Sequence, residues 1–309
     1  MNTSRILSIG AVVLSTAIIA HADVPQKIAD AVAKYDGVRN DKTPFGVTDG
    51  NPLAATAFMA SSAYENFGLR PLLSAAPKTD ENNWGFGFSA GGGGFDAGGF
   101  DGYYGTADLE LGTRFNDSVG LTLLLPLLYR DTEHTSTYIG GLEIGLPIVV
   151  MPYKGDDSLS WVLTPSLTGA GAGISKQLAQ GGYFFGGGLT SNLSWHKGQL
   201  TLLMANQITY DRGRPLAYNS DFNLRQDITQ TILKNGFGAI YSFNDKLALD
   251  GSVSYTGFLE KAYIDQYWSG DIGLTYFFSP TDGIRVAGKG DYADNYKTYG
   301  GELQLFFNW

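Results

Sequence analysis

Histidine is the side chain that most readily exchanges protons near neutral pH, and three occur among the 309 residues. His21 lies in an apolar leader. His134 stands beside Asp131 and Glu133, and His196 opens the turn-like run His196-Lys197-Gly198. A hydrolase built on imidazole needs that ring within hydrogen-bond reach of a nucleophile and a carboxylate. The strand pattern below puts His134 and His196 at opposite ends of the structure, so the two do not cooperate. His134 with its acids reads as a solvated loop. The chain has no cysteine, which removes disulfides, thiolate metal sites and iron–sulfur clusters. The run Gly91-Gly92-Gly93-Gly94-Phe95-Asp96 fits one copy of a calcium-binding repeat that works by stacking several copies. No Gly-Lys-Ser/Thr follows to form a phosphate loop, so the run reads as a flexible loop. Asp211-Arg212-Gly213-Arg214-Pro215 reads as a solvated turn, with two arginines able to pair with phosphate. No catalytic set, metal site or cofactor site is expected.

Composition narrows the class. Hydrophobic residues make up 43%, charged residues 17%, and the net charge is −9. Glycine, at 42 residues, is about twice its usual share. The 18 Tyr, 18 Phe and 5 Trp bring aromatics to 13%. An acidic chain lacks the basic stripe that nucleic-acid phosphates require, and so apolar a chain is not disordered.

The first residues have the form of an export signal. Arg5 is followed by an apolar run over 6–20, and Ala20-His21-Ala22 fits a small-x-small cleavage site. Residues 1–22 are therefore expected to be a cleaved signal peptide. Residues 23–82 form a distinct lead segment, with helices expected at 26–35 and 53–67. This segment has too few large apolar groups to bury a core alone, so it is expected to be periplasmic or to plug a lumen.

From residue 83 onward the period changes to two. In 119–129 the odd positions are Val119, Leu121, Leu123, Leu125, Leu127 and Tyr129. In 247–257, Leu247, Leu249, Gly251, Val253 and Tyr255 face Ala248, Asp250, Ser252, Ser254 and Thr256. Such alternation means strands with one apolar and one polar face. Twelve are expected, near 84–91, 101–115, 118–130, 137–150, 159–171, 182–195, 199–210, 227–243, 246–258, 263–278, 282–292 and 298–309. Most are long enough to cross a bilayer at a tilt, which takes roughly 9–11 residues. Tight connections such as Asn116-Asp117 and Asn244-Asp245 alternate with longer ones. Phe115, Trp161, Trp195, Phe243, Phe278 and Trp309 lie beside the tight turns, and Tyr103, Tyr129, Tyr138, Tyr210, Tyr255 and Tyr292 lie toward the longer connections. Two aromatic rows at strand ends match the two interfaces of a membrane. The fold class is all-β, a transmembrane antiparallel up-and-down β-barrel over 83–309.

Charges on the polar face are candidate pore-lining groups: Asp108, Glu110, Arg114, Glu143, Lys234, Asp250, Asp271, Arg285, Lys289, Asp291 and Glu302. They either tune the selectivity of an open lumen or pair across a narrow, filled one.

The chain ends Gly301-Glu302-Leu303-Gln304-Leu305-Phe306-Phe307-Asn308-Trp309. Gly301, Leu303, Leu305, Phe307 and Trp309 share one face. This ending resembles the C-terminal assembly signal of Gram-negative outer-membrane proteins. The resemblance implies insertion by the barrel-assembly machinery and contact with outer-membrane lipid and lipopolysaccharide. Twelve strands after a candidate helix are loosely similar to autotransporter translocator barrels and to porins, here without a passenger. What the resemblance implies is a passive channel for small solutes or a translocator-like barrel. The alternatives are a structural or surface-binding barrel with a blocked lumen, and an outer-membrane hydrolase.

Overall fold

The computed structural model of the protein describes residues 84–96, 101–116, 118–132, 136–152, 157–175, 180–214, 228–244, 246–259, 266–278, 282–293 and 296–308. The expected signal peptide, the lead segment with its two expected helices, His134 and Trp309 lie outside the described residues.

Alternating sequence becomes strand throughout. The strands are β1 (Trp84–Asp96), β2 (Asp101–Arg114), β3 (Gly120–Thr132), β4 (Ser136–Gly145), β5 (Ile148–Met151), β6 (Ser158–Ser175) and β7 (Gln180–Lys197). There follow β8 (Leu200–Arg214), β9 (Ile228–Asn244), β10 (Leu247–Phe258), β11 (Gln266–Phe277), β12 (Gly283–Ala293) and β13 (Tyr296–Asn308). Except for β4 and β5, which do not pair with each other, each pairs antiparallel with its neighbours in sequence, and β1 pairs with β13 from Gly85↔Asn308 to Asp96↔Lys297. β4 and β5 are halves of one stave, since both pair with β6. Pro147 has no N–H to give, which breaks the ladder there. Leu146 N still donates to Pro165 O (2.9 Å), and Gly120 N to Pro147 O (3.0 Å). The result is a closed barrel of twelve staves, as the alternation predicts.

Short turns gather at one end, with both ends of the barrel chain. Asn116 Oδ1 accepts from Ser118 N (2.8 Å) and Val119 N (2.9 Å), and Asn244 Oδ1 accepts from Lys246 N (2.8 Å). Gly198 supplies the left-handed φ of +57° between β7 and β8. The opposite end carries the two longest connections, 215–227 between β8 and β9 and 259–265 between β10 and β11, and its other four leave two to four residues between strands.

Several strand boundaries differ from expectation: the strand expected over 137–150 is divided into β4 and β5, β6 runs on from 171 to Ser175, and two polar or glycine-rich runs expected as loop or turn are strand. The glycine run 91–96 is not a loop: it continues β1 between β2 and β13. Its glycines permit close backbone approach. A Cβ at Gly93 would collide with the Tyr299 carbonyl, and one at Gly94 would sit 2.6 Å from Tyr299 Oη. Asp211 to Arg214 likewise belong to β8 rather than to a turn, paired with Gly186 to Tyr183 of β7. β6 and β7 reach 18 residues each, whereas β12 has 11.

Period two sorts the side chains. Outward positions are apolar and uncovered, with Ile272 62%, Phe237 60% and Val286 58% exposed, which suits a lipid-facing wall. Of the expected rim aromatics, Phe115, Phe243 and Phe278 are exposed at the short-turn end, and Tyr103, Tyr210 and Tyr292 at the other.

The seam gives a test. Gly93→Val is expected to abolish the heat-modifiable folded band on gels, because its Cβ has no room in the ladder. Gly288→Ala, where a Cβ meets nothing within 4 Å, is expected to retain that band.

Candidate functional site: the barrel lumen

The inner face is layered along the barrel axis. At the short-turn end Leu203, Ala205, Ile240 and Ala248 form an apolar cluster against Phe277. Phe277 stacks edge-to-face on the buried Phe306, with ring centroids 5.9 Å apart. At the other end, Phe258 and Tyr267 lie 6.2 Å apart and Tyr104 and Phe95 are buried. Polar and charged groups fill the height between these two collars.

The charged layer centres on Arg285 of β12. Its Nε donates to Asp250 Oδ1 (2.9 Å) and Oδ2 (3.0 Å), and its Nη2 bridges Asp250 and Asp271. Asp250 is on β10, two staves away, so the guanidinium must cross β11. It does so over Gly273, where a Cβ would lie 2.5 Å from Arg285 Nε and 2.6 Å from Cζ. Thr275 Oγ1 donates to Asp250 Oδ2 (3.4 Å), and Ser252 Oγ donates to Asp271 Oδ1. A second group lies beside this one. Lys289 Nζ donates to Glu302 Oε2 (2.8 Å), and Gln304 Nε2 donates to Glu302 Oε1. Side-chain exposure is 3% for Arg285, 2% for Asp271 and Glu302, and 5% for Lys289. Charges buried to this degree require partners, and each of these four has one.

Elsewhere on the inner wall, Ser89 Oγ donates to Asp108 Oδ2 (3.1 Å) and Thr298 Oγ1 to Asp291 Oδ2 (2.8 Å). Lys234 is buried on β9, and Glu110 and Glu143 are half-buried on the inner faces of β2 and β4. Arg114 is the last residue of β2. The lumen thus gathers Asp250, Asp271 and Arg285 into one network and Lys289 with Glu302 into another, and it leaves Asp108 and Asp291 with hydroxyl partners on neighbouring staves. Sequence alternation places these charges on one face. It does not identify Gly273, Thr275, Ser252, Gln304, Ser89 and Thr298 as the groups that seat them. The signal for Gly273 is a glycine on the polar face between Asp271 and Thr275, but its meaning appears only when the β10–β12 register is known.

Several buried lumenal oxygens have no hydrogen-bond partner among the described residues: Gln207 Oε1, Thr209 Oγ1, Thr256 Oγ1, Ser269 Oγ and Asp291 Oδ1. They lie on β8, β10, β11 and β12, in the half of the lumen toward the long connections. His196 is not in a free turn. It is the penultimate residue of β7, is buried, and places Nδ1 3.0 Å from Thr201 Oγ1. Among the described residues no group of three His, Asp or Glu side chains could hold a metal ion.

Gly301, Leu303, Leu305 and Phe307 share the outer face of β13, with Leu303 40% and Phe307 37% exposed. The apolar positions of the C-terminal run therefore face outward.

The charge network carries a prediction. Arg285→Met leaves Asp250 and Asp271 buried together without their cation, so it is expected to lower barrel stability by about 3–5 kcal/mol. Adding Asp250→Asn and Asp271→Asn is expected to recover most of that loss. Urea midpoints in detergent micelles measure both effects.

No family model and no curated protein sequence matches the chain. Solved structures do. The translocator domain of the autotransporter NalP from Neisseria meningitidis aligns with a TM-score of 0.52 at 13% identity, over 85% of this chain and 100% of that one. An outer-membrane channel from Pseudomonas putida F1 aligns with a TM-score of 0.59 at 12% identity, over 75% and 97%. The β domain of the Bordetella autotransporter BrkA gives 0.51 at 10% identity, over 74% and 100%. At such identities the likeness concerns the fold. The closed ring of twelve antiparallel staves, with an apolar outside and a polar inside, is a transmembrane β-barrel fold that the chain shares with these translocator domains and this outer-membrane channel.

Proposed function

We propose that the protein is a passive outer-membrane channel for small polar solutes. The supporting observation is the polar, charge-bearing inner face of a closed ring of twelve staves. Charged side chains on such a wall tune the passage of ions and polar solutes. A translocator-like barrel has the same wall and remains within this reading.

In this reading the chain is exported by a signal peptide over 1–22, inserted by the barrel-assembly machinery through its C-terminal strand, and held among outer-membrane lipid and lipopolysaccharide. Residues 23–82 are its periplasmic or lumenal segment. The apolar collar of Leu203, Ile240, Phe277 and Phe306 is the constriction, since hydrophobic rings gate by expelling water. The described inner face carries seven acids (Asp108, Glu110, Glu143, Asp250, Asp271, Asp291, Glu302) and three bases (Lys234, Arg285, Lys289), a difference of four negative charges. That balance favours cations over anions.

The competing reading is a structural barrel with a blocked lumen, favoured by the near-complete burial of the Arg285 and Lys289 networks. Planar-bilayer recordings separate the two. Cation-selective current is expected, with larger current in Phe277→Ala and Phe306→Ala. Silence from the full-length protein, from both variants and from a chain lacking residues 23–82 refutes the channel and leaves the structural reading. Anion selectivity refutes the charge argument alone.

A further inference from the structure

The lipid-facing wall has one polar interruption. Ser191 of β7, Asn206 of β8 and Asn235 of β9 all point outward, and they are directly opposite one another in the register: Ser191↔Asn206 and Asn206↔Asn235. Their outward neighbours are apolar: Leu189 and Leu193 on β7, Met204 and Ile208 on β8, Leu233 and Phe237 on β9. Apart from Thr113, which is beside Phe115 at the rim, they are the polar side chains among the described outward positions between the aromatic rows.

The row lies deep in the apolar band. Asn206 is four positions from Tyr210 of one aromatic row, and Ser191 is four positions from Trp195 of the other. At a rise of about 3.3 Å and a tilt of about 40°, four residues span roughly 10 Å of depth. Ser191 accepts a hydrogen bond from Trp161 Nε1 at 2.9 Å. The carboxamides of Asn206 and Asn235 make no side-chain hydrogen bond to any described residue, and Asn235 is exposed. Acyl chains offer them nothing, and an unsatisfied polar group in hydrocarbon is strongly disfavoured.

We propose that the outer faces of β7, β8 and β9 form the contact with a second copy of this chain, giving a two-fold dimer in the membrane. The carboxamide itself argues for this partner. It carries both a donor and an acceptor, so the same group on a symmetry mate satisfies it, and a two-fold contact brings identical patches together. Between membrane segments, where burying apolar surface gains little, interchain hydrogen bonds of this kind supply the specificity. Met204, Ile208, Leu189 and Phe237 surround the carboxamides and would pack against their counterparts.

The lack of native cysteine allows a direct test. In isolated outer membranes under mild oxidation, Asn235→Cys is expected to give a disulfide-linked band at twice the monomer mass. Leu109→Cys, outward on β2 across the barrel, is expected to remain monomeric. In mild detergent, native mass spectrometry of the unaltered chain is expected to show a dimer. Asn206→Leu combined with Asn235→Leu is expected to halve that mass while keeping heat-modifiable migration, which shows the barrel is still folded. A monomeric mass for the unaltered chain, together with no more cross-linking from Asn235→Cys than from Leu109→Cys, overturns the proposal. Cross-linking of Asn235→Cys exclusively to a different protein also overturns it. So does a double variant whose solute flux falls while its mass is unchanged, which would make the row a lateral exit for solute.

Discussion

Backbone N–H and C=O groups cannot stay unpaired in hydrocarbon, and this structure answers that constraint by closing. The closure depends on β1 meeting β13 over its whole length. An even number of staves returns the chain to the end where it started, so the barrel's first and last strands meet at the short-turn end. Closure also fixes the side-chain problem: every strand must present alternate residues to lipid and to the interior. The seam is where backbones come closest, and there the sequence uses successive glycines. Gly94 is roofed by the ring of Tyr299, which covers the backbone that a side chain would otherwise cover.

The interior follows from the same alternation. Half the residues of each stave must face a space too narrow to be all solvent and too polar to be an ordinary core. The β10–β13 wall resolves this with ion pairs, and the guanidinium of Arg285 spans the width of β11 to reach its second carboxylate. The opposing region around β8 resolves it differently, with aliphatic residues low in the lumen and unpaired oxygens above them. The lumen is therefore uneven along its circumference: the ion-pair networks are held on β10–β13, the aliphatic cluster lies on β8–β10, and oxygens without a partner among the described residues occur in both regions.

Much of this was legible in the sequence. Period-two alternation from Trp84 onward gave the strands and their faces, because burial in a barrel repeats at the pleat. The turns at Asn116 and Asn244 were legible because their side chains cap their own backbones. The inward placement of Asp250, Asp271, Arg285, Lys289 and Glu302 follows from parity alone. Their partnerships do not, since which residues meet depends on register and stagger across non-adjacent staves. The glycine run 91–96 was misread for a related reason. Glycine signals a turn when read locally, whereas here it answers a close approach by Tyr299, more than two hundred positions along the chain. Asp211 to Arg214 were misread because polar residues look like loop wherever a strand runs on past the bilayer into water.

That overrun makes the rim uneven. At about 3.3 Å per residue and a tilt near 40°, the 18 residues of β6 and β7 stand about 45 Å tall, and the 11 of β12 about 28 Å. The wall is a parapet on one flank and nearly flush with the membrane on the other. At the parapet's crest β6 is still paired on both flanks, Ser175 with Thr137 of β4 and with Gln180 of β7. Above the bilayer that wall has no hydrocarbon to lean on and rests on its backbone ladder, so in the order of local opening it opens before the seam between β1 and β13.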